Sequence, residues 1–108
     1  MPDPNVLLVL CNTPDAECAA RIAHALVEQG LAACVNILAP CHSVYRWQGK
    51  IEEATEIPLL IKTTALAYPA LEEHLRELHP YEVPEIIAVP LAAGLPAYLA
   101  WVTEETRP

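Results

Sequence analysis

The sequence predicts one α+β domain of the order βαββαβ followed by a C-terminal helix. Two observations predict this fold class. Apolar runs suited to buried strands alternate with segments whose apolar residues recur at helical spacing, and no linker or repeat interrupts them. Apolar residues also make up 54% of the 108 residues, which is enough for one core. We therefore expect a single domain spanning residues 1–108.

The first strand and the first helix are predicted in the N-terminal third. Residues 6–11 form a continuous apolar run, typical of a strand buried on both faces. Thr13 can cap a helix, and Pro14 suits the first helical position. Apolar residues then recur at helical spacing as far as Val27, and Gly30 provides a left-handed stop.

A long hairpin of the second and third strands follows. Residues 33–38 begin the second strand, which bends at residues 40–41 and resumes at residues 43–47. Residues 48–50 turn the chain, and residues 51–64 run back as the third strand. This hairpin is longer than a four-stranded sheet of this size needs.

The third strand divides into an exposed and a buried part. Glu52, Glu53 and Glu56 are expected on exposed ground, and residues 59–61 are expected to enter the core. Pro58 cannot donate a backbone hydrogen bond, so we expect it at an edge or an irregularity of the strand.

The last third completes the pattern. One helical face carries the apolar residues Tyr68, Leu71, Leu75 and Leu78. Residues 79–80 end this helix, residues 85–89 form the fourth strand, and Pro96 to about Glu105 form the C-terminal helix. The complete order is the split βαβ arrangement of ferredoxin-like domains.

The strand pattern also predicts self-association. Three strands carry consecutive apolar residues, so both faces of the sheet should be buried, although both main helices cover the same face. The long hairpin leaves unpaired strand edges. A closed symmetric ring of identical chains covers the second face and pairs these edges.

Charge and apolar run length exclude several kinds of partner. The formal net charge is -8, with six Lys and Arg against fourteen Asp and Glu, which disfavours nucleic acid. No apolar run is longer than the six residues 6–11, which is far shorter than the roughly 20 residues of a membrane-spanning helix. Residues 1–4 lack the basic start of a secretory signal, so we expect a cytoplasmic protein without membrane contact.

The four cysteines do not form a known redox or zinc motif. No two of Cys11, Cys18, Cys34 and Cys41 form C-x-x-C, which excludes thioredoxin-like chemistry and zinc ribbons. Cys34 lies inside an apolar strand and is expected in the core, whereas Cys18 lies off the apolar stripe of its helix and is expected to be partly exposed. Reduced thiols are expected in the cytoplasm.

Four motifs in order along the chain resemble the CutA family of divalent-cation tolerance proteins. They are LAACVNI at residues 31–37, SVYRWQGKIEE at 43–53, LIKTT at 60–64 and HPYEVPE at 79–85. YLAW at residues 98–101 is similar to the closing segment of that family. The resemblance covers roughly residues 6–102.

The resemblance implies a homotrimer that binds copper or other divalent cations and takes part in metal-ion tolerance. Ligands in such family members match Cys11 and His79 here, and Glu85 could complete the site. Some relatives have a second histidine where this chain has Leu78. Cys41 replaces a glycine common among relatives, and with His42 it forms an accessory ligand pair or a neutral loop change.

Other functions stay open at this point. The trimer of the family resembles the PII signalling proteins, so a small-ligand module without catalysis is the alternative. The large aromatic residues Tyr45, Trp47, Tyr81 and Trp101 are expected as packing or intersubunit anchors. Some of them can line an intersubunit cleft with Lys62 and His79, where a small ligand would bind. No Ser-His-Asp pattern is evident, and we expect no enzyme.

Overall fold

The computed structural model describes residues 6–107. Residues 1–5 and residue 108 of the predicted domain, and with them the prediction made from residues 1–4, lie outside the described residues. The elements are β1 Val6–Thr13, α1 Ala16–Glu28, β2 Cys34–Ile37, β3 Cys41–Trp47, β4 Lys50–Thr64, α2 Tyr68–Leu78, β5 Ile86–Pro90 and α3 Pro96–Glu105. The order is the predicted one, with the second strand divided into β2 and β3. Between residues 6 and 107, no helix has the length and apolar character needed to cross a membrane.

The sheet has the strand order β2-β4-β1-β5, and every neighbouring pair is antiparallel. Val9 of β1 lies opposite Ile61 of β4 on one side and Ala88 of β5 on the other. β3 pairs only with β4 among the described strands. The architecture is therefore α+β with a central β4–β1 pair.

The core lies between one sheet face and helices α1 and α2. Because side chains alternate across a strand, odd-numbered positions of β1 and β4 point to the helices. The largest fully buried members are Val9, Leu59 and Ile61 from the sheet, and Ile22, Leu26, Leu71 and Leu75 from the helices. The predicted helical stripes are therefore confirmed, except that Val27 at the end of the first stripe is exposed.

The N-terminus of α1 differs from the prediction. Asp15 is the N-cap, and its carboxylate accepts a hydrogen bond from Cys18 N–H at 2.8 Å. Thr13 instead extends β1, and its hydroxyl donates to the Ile57 carbonyl at 2.9 Å. The predicted stop is confirmed, because Gly30 has a φ of 71° just after the helix.

Pro58 lies at a break in the ladder, as predicted. β2 ends opposite Leu59, and β3 begins opposite Glu56, so Pro58 faces the gap between them. The Pro58 carbonyl accepts from Leu38 N–H on that side. In an antiparallel strand, the N–H and C=O of one residue point to the same neighbouring strand. The backbone nitrogen of Pro58, which has no hydrogen to donate, therefore faces the break.

β3 and residues 50–56 of β4 form a two-stranded arm. The turn between them is tight, with φ of 52° at Gln48 and 83° at Gly49. In the described part of the chain, no other strand pairs with this arm. The molecule is accordingly elongated, with extents of 48 × 26 × 24 Å. The predicted arm with unpaired edges is confirmed for the single chain.

The sheet face opposite α1 and α2 is only partly covered. We call this surface the open face and define it by Leu8, Leu10, Leu60, Ile87 and Val89. Ile87 and Val89 are 52% and 45% exposed. α3 contacts β1 and β4 and leaves much of the open face uncovered.

Candidate metal centre

The three predicted metal ligands come from three elements and meet around Asn12. Cys11 and Asn12 lie near the end of β1, and His79 is the C-cap of α2. Glu85 immediately precedes Ile86 of β5, which is the Cα partner of Cys11. The structure therefore brings Cys11, His79 and Glu85 into one region. Asn12 could not be identified from the sequence, because it contributes its backbone carbonyl as well as its side chain, and a backbone carbonyl is common to all residue types.

His79 is held at both ring nitrogens. The side chain is buried, with 6% exposed, and Nδ1 accepts from Tyr81 N–H at 3.2 Å. Since Nδ1 is the acceptor, Nε2 carries the proton and donates to the Asn12 carbonyl at 2.7 Å. The His79 ring also packs against the Tyr81 ring, with centroids 4.6 Å apart. A ligand role for His79 requires one of these two hydrogen bonds to break.

Cys11 carries a protonated thiol at neutral pH. Its side chain is 1% exposed, and burial raises the pKa of the thiol to about 12, with the Glu85 and Glu56 carboxylates adding to the rise. Sγ lies 3.8 Å from the Asn12 carbonyl oxygen. Metal binding at Cys11 therefore involves release of a proton.

Glu85 and Leu78 complete the surroundings. Glu85 is exposed, and its Oε1 accepts from Asn12 Nδ2 at 3.2 Å. Leu78, where some relatives have a second histidine, packs against the hydrophobic core. Glu85 is thus the most accessible of the three predicted ligands.

Glu56 is buried, so the prediction that it lies on exposed ground is wrong. Only 7% of the residue is exposed, and its Oε2 accepts from the Tyr81 hydroxyl at 2.8 Å. Burial, followed by the hydrogen bond to Glu56, raises the pKa of Tyr81, which keeps the hydroxyl protonated. The sequence carries no signal for this pair, because its members are 25 residues apart and meet only in the fold.

A cavity of about 520 Å³ opens beside these residues. It is lined by Asn12, Ser43, Val44, Tyr45, Trp47, Glu56, Tyr81, Glu82, Val83 and Glu85. Three of these residues are glutamates, and none is lysine or arginine. Lys62 and His79, which are expected to line an intersubunit cleft, do not line this cavity of the single chain. The charge of the lining favours cations over anions.

The ligand types suit copper, but the described geometry is not a preformed metal site. Thiolate and imidazole are ligands for copper and zinc. Within residues 6–107, however, no group of three or more His, Cys, Asp or Glu side chains is placed to hold a metal ion. Cys11 must lose its proton and His79 must leave a hydrogen-bond partner before both can coordinate.

Cys41 and His42 do not form a ligand pair on one side of the arm. Successive side chains of a strand point to opposite faces, and these two lie opposite Glu56 and Thr55 respectively. His42 Nε2 lies 2.6 Å from Glu53 Oε1 on the exposed surface. Their accessory metal role stays a prediction that requires a rearrangement of the arm.

Two other cysteines lie where the sequence did not predict them. Cys18 is 4% exposed and belongs to the core, because the capped first turn of α1 packs inward. Cys34 is half-buried and lies opposite Lys62, away from α1 and α2. Lys62 Nζ is 4.0 Å from Cys34 Sγ and also donates to Asn36. The core assignment of Cys34 is therefore wrong.

Comparison with known proteins identifies relatives along nearly the whole chain. The family model described as CutA1 divalent ion tolerance protein matches residues 7–105. The divalent-cation tolerance protein CutA of Thermus thermophilus is 52% identical over 99 residues, covering 92% of this chain and 96% of that protein. Protein CutA of Mus musculus is 50% identical over 94 residues, covering 87% of this chain but 53% of the mouse protein.

Solved structures share the fold. The divalent cation tolerance protein Cut A1 from Thermus thermophilus has a TM-score of 0.92 at 51% identity, covering 94% of this chain and 99% of that one. CutA1 from a psychrotrophic Shewanella species has a TM-score of 0.93 at 43% identity, covering 99% and 100%. The resemblance predicted from the sequence is thus confirmed. The chain belongs to the CutA1 divalent ion tolerance protein family.

Proposed function

We propose that the chain binds copper, with other divalent cations as further ligands, through Cys11, His79 and Glu85, and acts in metal-ion tolerance. One observation carries the proposal. The three predicted ligands, from separate elements, gather around Asn12 at the edge of a cavity whose charged lining residues are all glutamates. Such a cavity concentrates cations beside Asn12 and Glu85, which line it, whereas Cys11 and His79 lie buried behind Asn12 and do not line it.

Binding is coupled to proton release. The Cys11 thiol is protonated in the free protein, so coordination by thiolate displaces one proton. The apparent affinity is therefore expected to rise with pH across the neutral range, by up to about tenfold per pH unit. Replacement of Cys11 by serine is expected to flatten this dependence.

Calorimetric titration under argon tests the site. Zn²⁺ and Cu²⁺ are titrated separately, since Zn²⁺ cannot oxidise a thiol and so reports coordination alone. We expect Cys11→Ser and His79→Ala each to weaken binding by about tenfold or more. Glu85→Gln is expected to have a smaller effect, because its carboxylate is exposed.

Cys34→Ser is the matched control, because it removes a thiol from the opposite side of the sheet. Its affinity should equal that of the unmodified chain. Unchanged metal affinity in both Cys11→Ser and His79→Ala would contradict the proposed site.

We further propose that the chain assembles as a ferredoxin-like homotrimer in the cytoplasm and has no catalytic activity. The uncovered open face and the unpaired arm support assembly. All four cysteines are free, which suits a reducing compartment. The solved relative from Archaeoglobus fulgidus is described as periplasmic, so fractionation of the native cell tests the location directly. Recovery of the chain outside the cytoplasmic fraction would contradict it.

A PII-like module that binds a small ligand is the second candidate. The cavity beside Asn12 favours it, since about 520 Å³ is within the range of small-molecule sites. Thermal-shift screening of metabolites tests this function, and absence of stabilisation by every compound would count against it.

A further inference from the structure

The cavity carries chemistry that the metal site does not use. Tyr45 and Trp47 of β3 form its arm side, and Tyr81 follows α2 on the other side. These aromatic residues provide apolar surface and negative ring faces, which attract an organic cation. Metal coordination by a thiol and an imidazole requires none of them.

Glu56 is the buried charge of the cavity. Its residue is more than nine-tenths buried, and in the described range 6–107 no Lys, Arg or His forms an ion pair with it. Oε2 accepts from Tyr81, whereas Oε1 accepts from no described donor. Every fully buried side-chain oxygen among the described residues has a partner, so the unpartnered Oε1 is at least partly accessible, and Glu56 is a lining residue of the cavity. A buried carboxylate of this kind is stabilised by a bound cation.

We propose that the cavity binds a primary ammonium group carried on a compact apolar body. The ammonium is placed to donate to Glu56 Oε1, and the apolar body packs against Tyr45 and Trp47. A primary ammonium fits better than an anion, because the lining contains Glu56, Glu82 and Glu85 and no basic residue. The inference specifies the ligand class of the small-ligand function and rests on that second candidate, independently of metal binding.

The test compares two probes of nearly equal shape. Phenethylammonium and the neutral 2-phenylethanol are titrated into the full chain in buffer containing EDTA, so that no metal contributes. We expect phenethylammonium to bind at least about tenfold more tightly than the alcohol, because only the ammonium pairs with the Glu56 carboxylate.

Two variants assign the contacts. Glu56→Gln preserves side-chain size and is expected to abolish the difference between the two probes. Trp47→Leu removes a partly exposed ring and is expected to weaken both probes several-fold. Glu28→Gln, on the exposed surface of α1 and outside the lining, is the control with the same loss of charge and should bind as the unmodified chain does.

Each outcome decides the proposal. The proposal is supported if the chain binds the ammonium probe selectively, if Glu56→Gln loses this selectivity and if Glu28→Gln keeps it. Equal affinity for both probes, or no binding of phenethylammonium at millimolar concentration, overturns it. If Glu56→Gln does not fold, an equal loss of affinity for both probes in the folded Trp47→Leu variant supports the site, and unchanged affinity overturns it. Stabilisation by a different metabolite together with no phenethylammonium binding would retain the small-ligand function and reject this ligand class.

Discussion

Asn12 contacts two of the three proposed metal ligands, His79 and Glu85. Its carbonyl accepts a hydrogen bond from His79 Nε2–H, and its side-chain amide donates one to Glu85. A hydrogen bond of this kind contributes about 1 kcal/mol, so freeing His79 for coordination has a moderate cost. Any cation bound at His79 must supply at least this energy. Coordination through Nε2 therefore breaks a contact with a residue that is not a predicted ligand.

Cys11 should be unreactive in the folded chain. Its thiol is buried, and burial raises its pKa to about 12, so very little thiolate exists at neutral pH. We expect iodoacetamide at pH 7.5 to label half-buried Cys34 well before Cys11, measured by mass spectrometry of peptides. The labelling rate of Cys11 should rise about tenfold per pH unit up to pH 10, because its thiolate fraction rises in that proportion.

A denatured sample, in which all four cysteines react, is the control for this measurement. Labelling of native Cys11 as fast as Cys34 would indicate an activated nucleophile and would contradict the proposal that the chain has no catalytic activity.

The site residues could be predicted by type but not by contact. Cys11, His79 and Glu85 were proposed as ligands from the resemblance to the family, and the structure shows that they lie in one region. The hydrogen bonds at His79 and the burial of Glu56 were not, because each depends on residues distant in the chain. Long-range polar contacts have no periodic signal in a sequence.

At the scale of elements, predictions from the local sequence were correct where a single local interaction determines the element. Helical spacing predicted α1 and α2, residues 48–50 predicted the turn, and the length of the hairpin predicted the arm. The start of α1 was missed because Thr13 and Asp15 are both competent caps. Pairing of β1 with β4 as far as Thr13 decides between them. Tertiary pairing therefore overrides a local preference at that boundary.

The two glycines with positive φ should differ in their tolerance of substitution. Gly30 and Gly49 have φ of 71° and 83°, so alanine is strained at both. A Cβ at Gly30 would also lie 2.7 Å from the Arg107 carbonyl oxygen, whereas nothing lies within 4 Å at Gly49. We expect Gly30→Ala to lower the free energy of unfolding by about 1–3 kcal/mol more than Gly49→Ala does.

Chemical denaturation of both variants measures this difference. Gly49→Ala serves as the control for backbone strain alone. Equal destabilisation by the two substitutions would show that contact with the C-terminal segment contributes nothing.

At the scale of the whole molecule, the main feature is the open face, which a single chain leaves largely uncovered. Ile87 and Val89 are substantially exposed there, and the arm projects without partner strands within residues 6–107. The sequence predicted this, since continuous apolar runs in adjacent strands require cover on both faces. It could not predict how much of the face α3 covers, because α3 is apolar on most sides.

Assembly should depend on the open face. Sedimentation velocity is expected to give three times the 11.8 kDa mass for the unmodified chain and a smaller species for Ile87→Asp. A charge at Ile87 leaves the fold intact, since that side chain is already half exposed in one chain. Leu66→Asp, at a position that is 86% exposed outside this face, is the control. An unmodified chain that sediments at 11.8 kDa would exclude the trimer.

Direct location of the bound metal tests the central proposal most sharply. A crystal of the full chain soaked in Cu²⁺ and measured at the copper absorption edge gives the ion's position by anomalous scattering. We predict a peak at bonding distance from Cys11 Sγ and a ring nitrogen of His79, with that nitrogen's hydrogen bond broken. A peak at Cys34 or at Cys41 and His42, with Cys11 and His79 unchanged, would contradict the assigned metal centre.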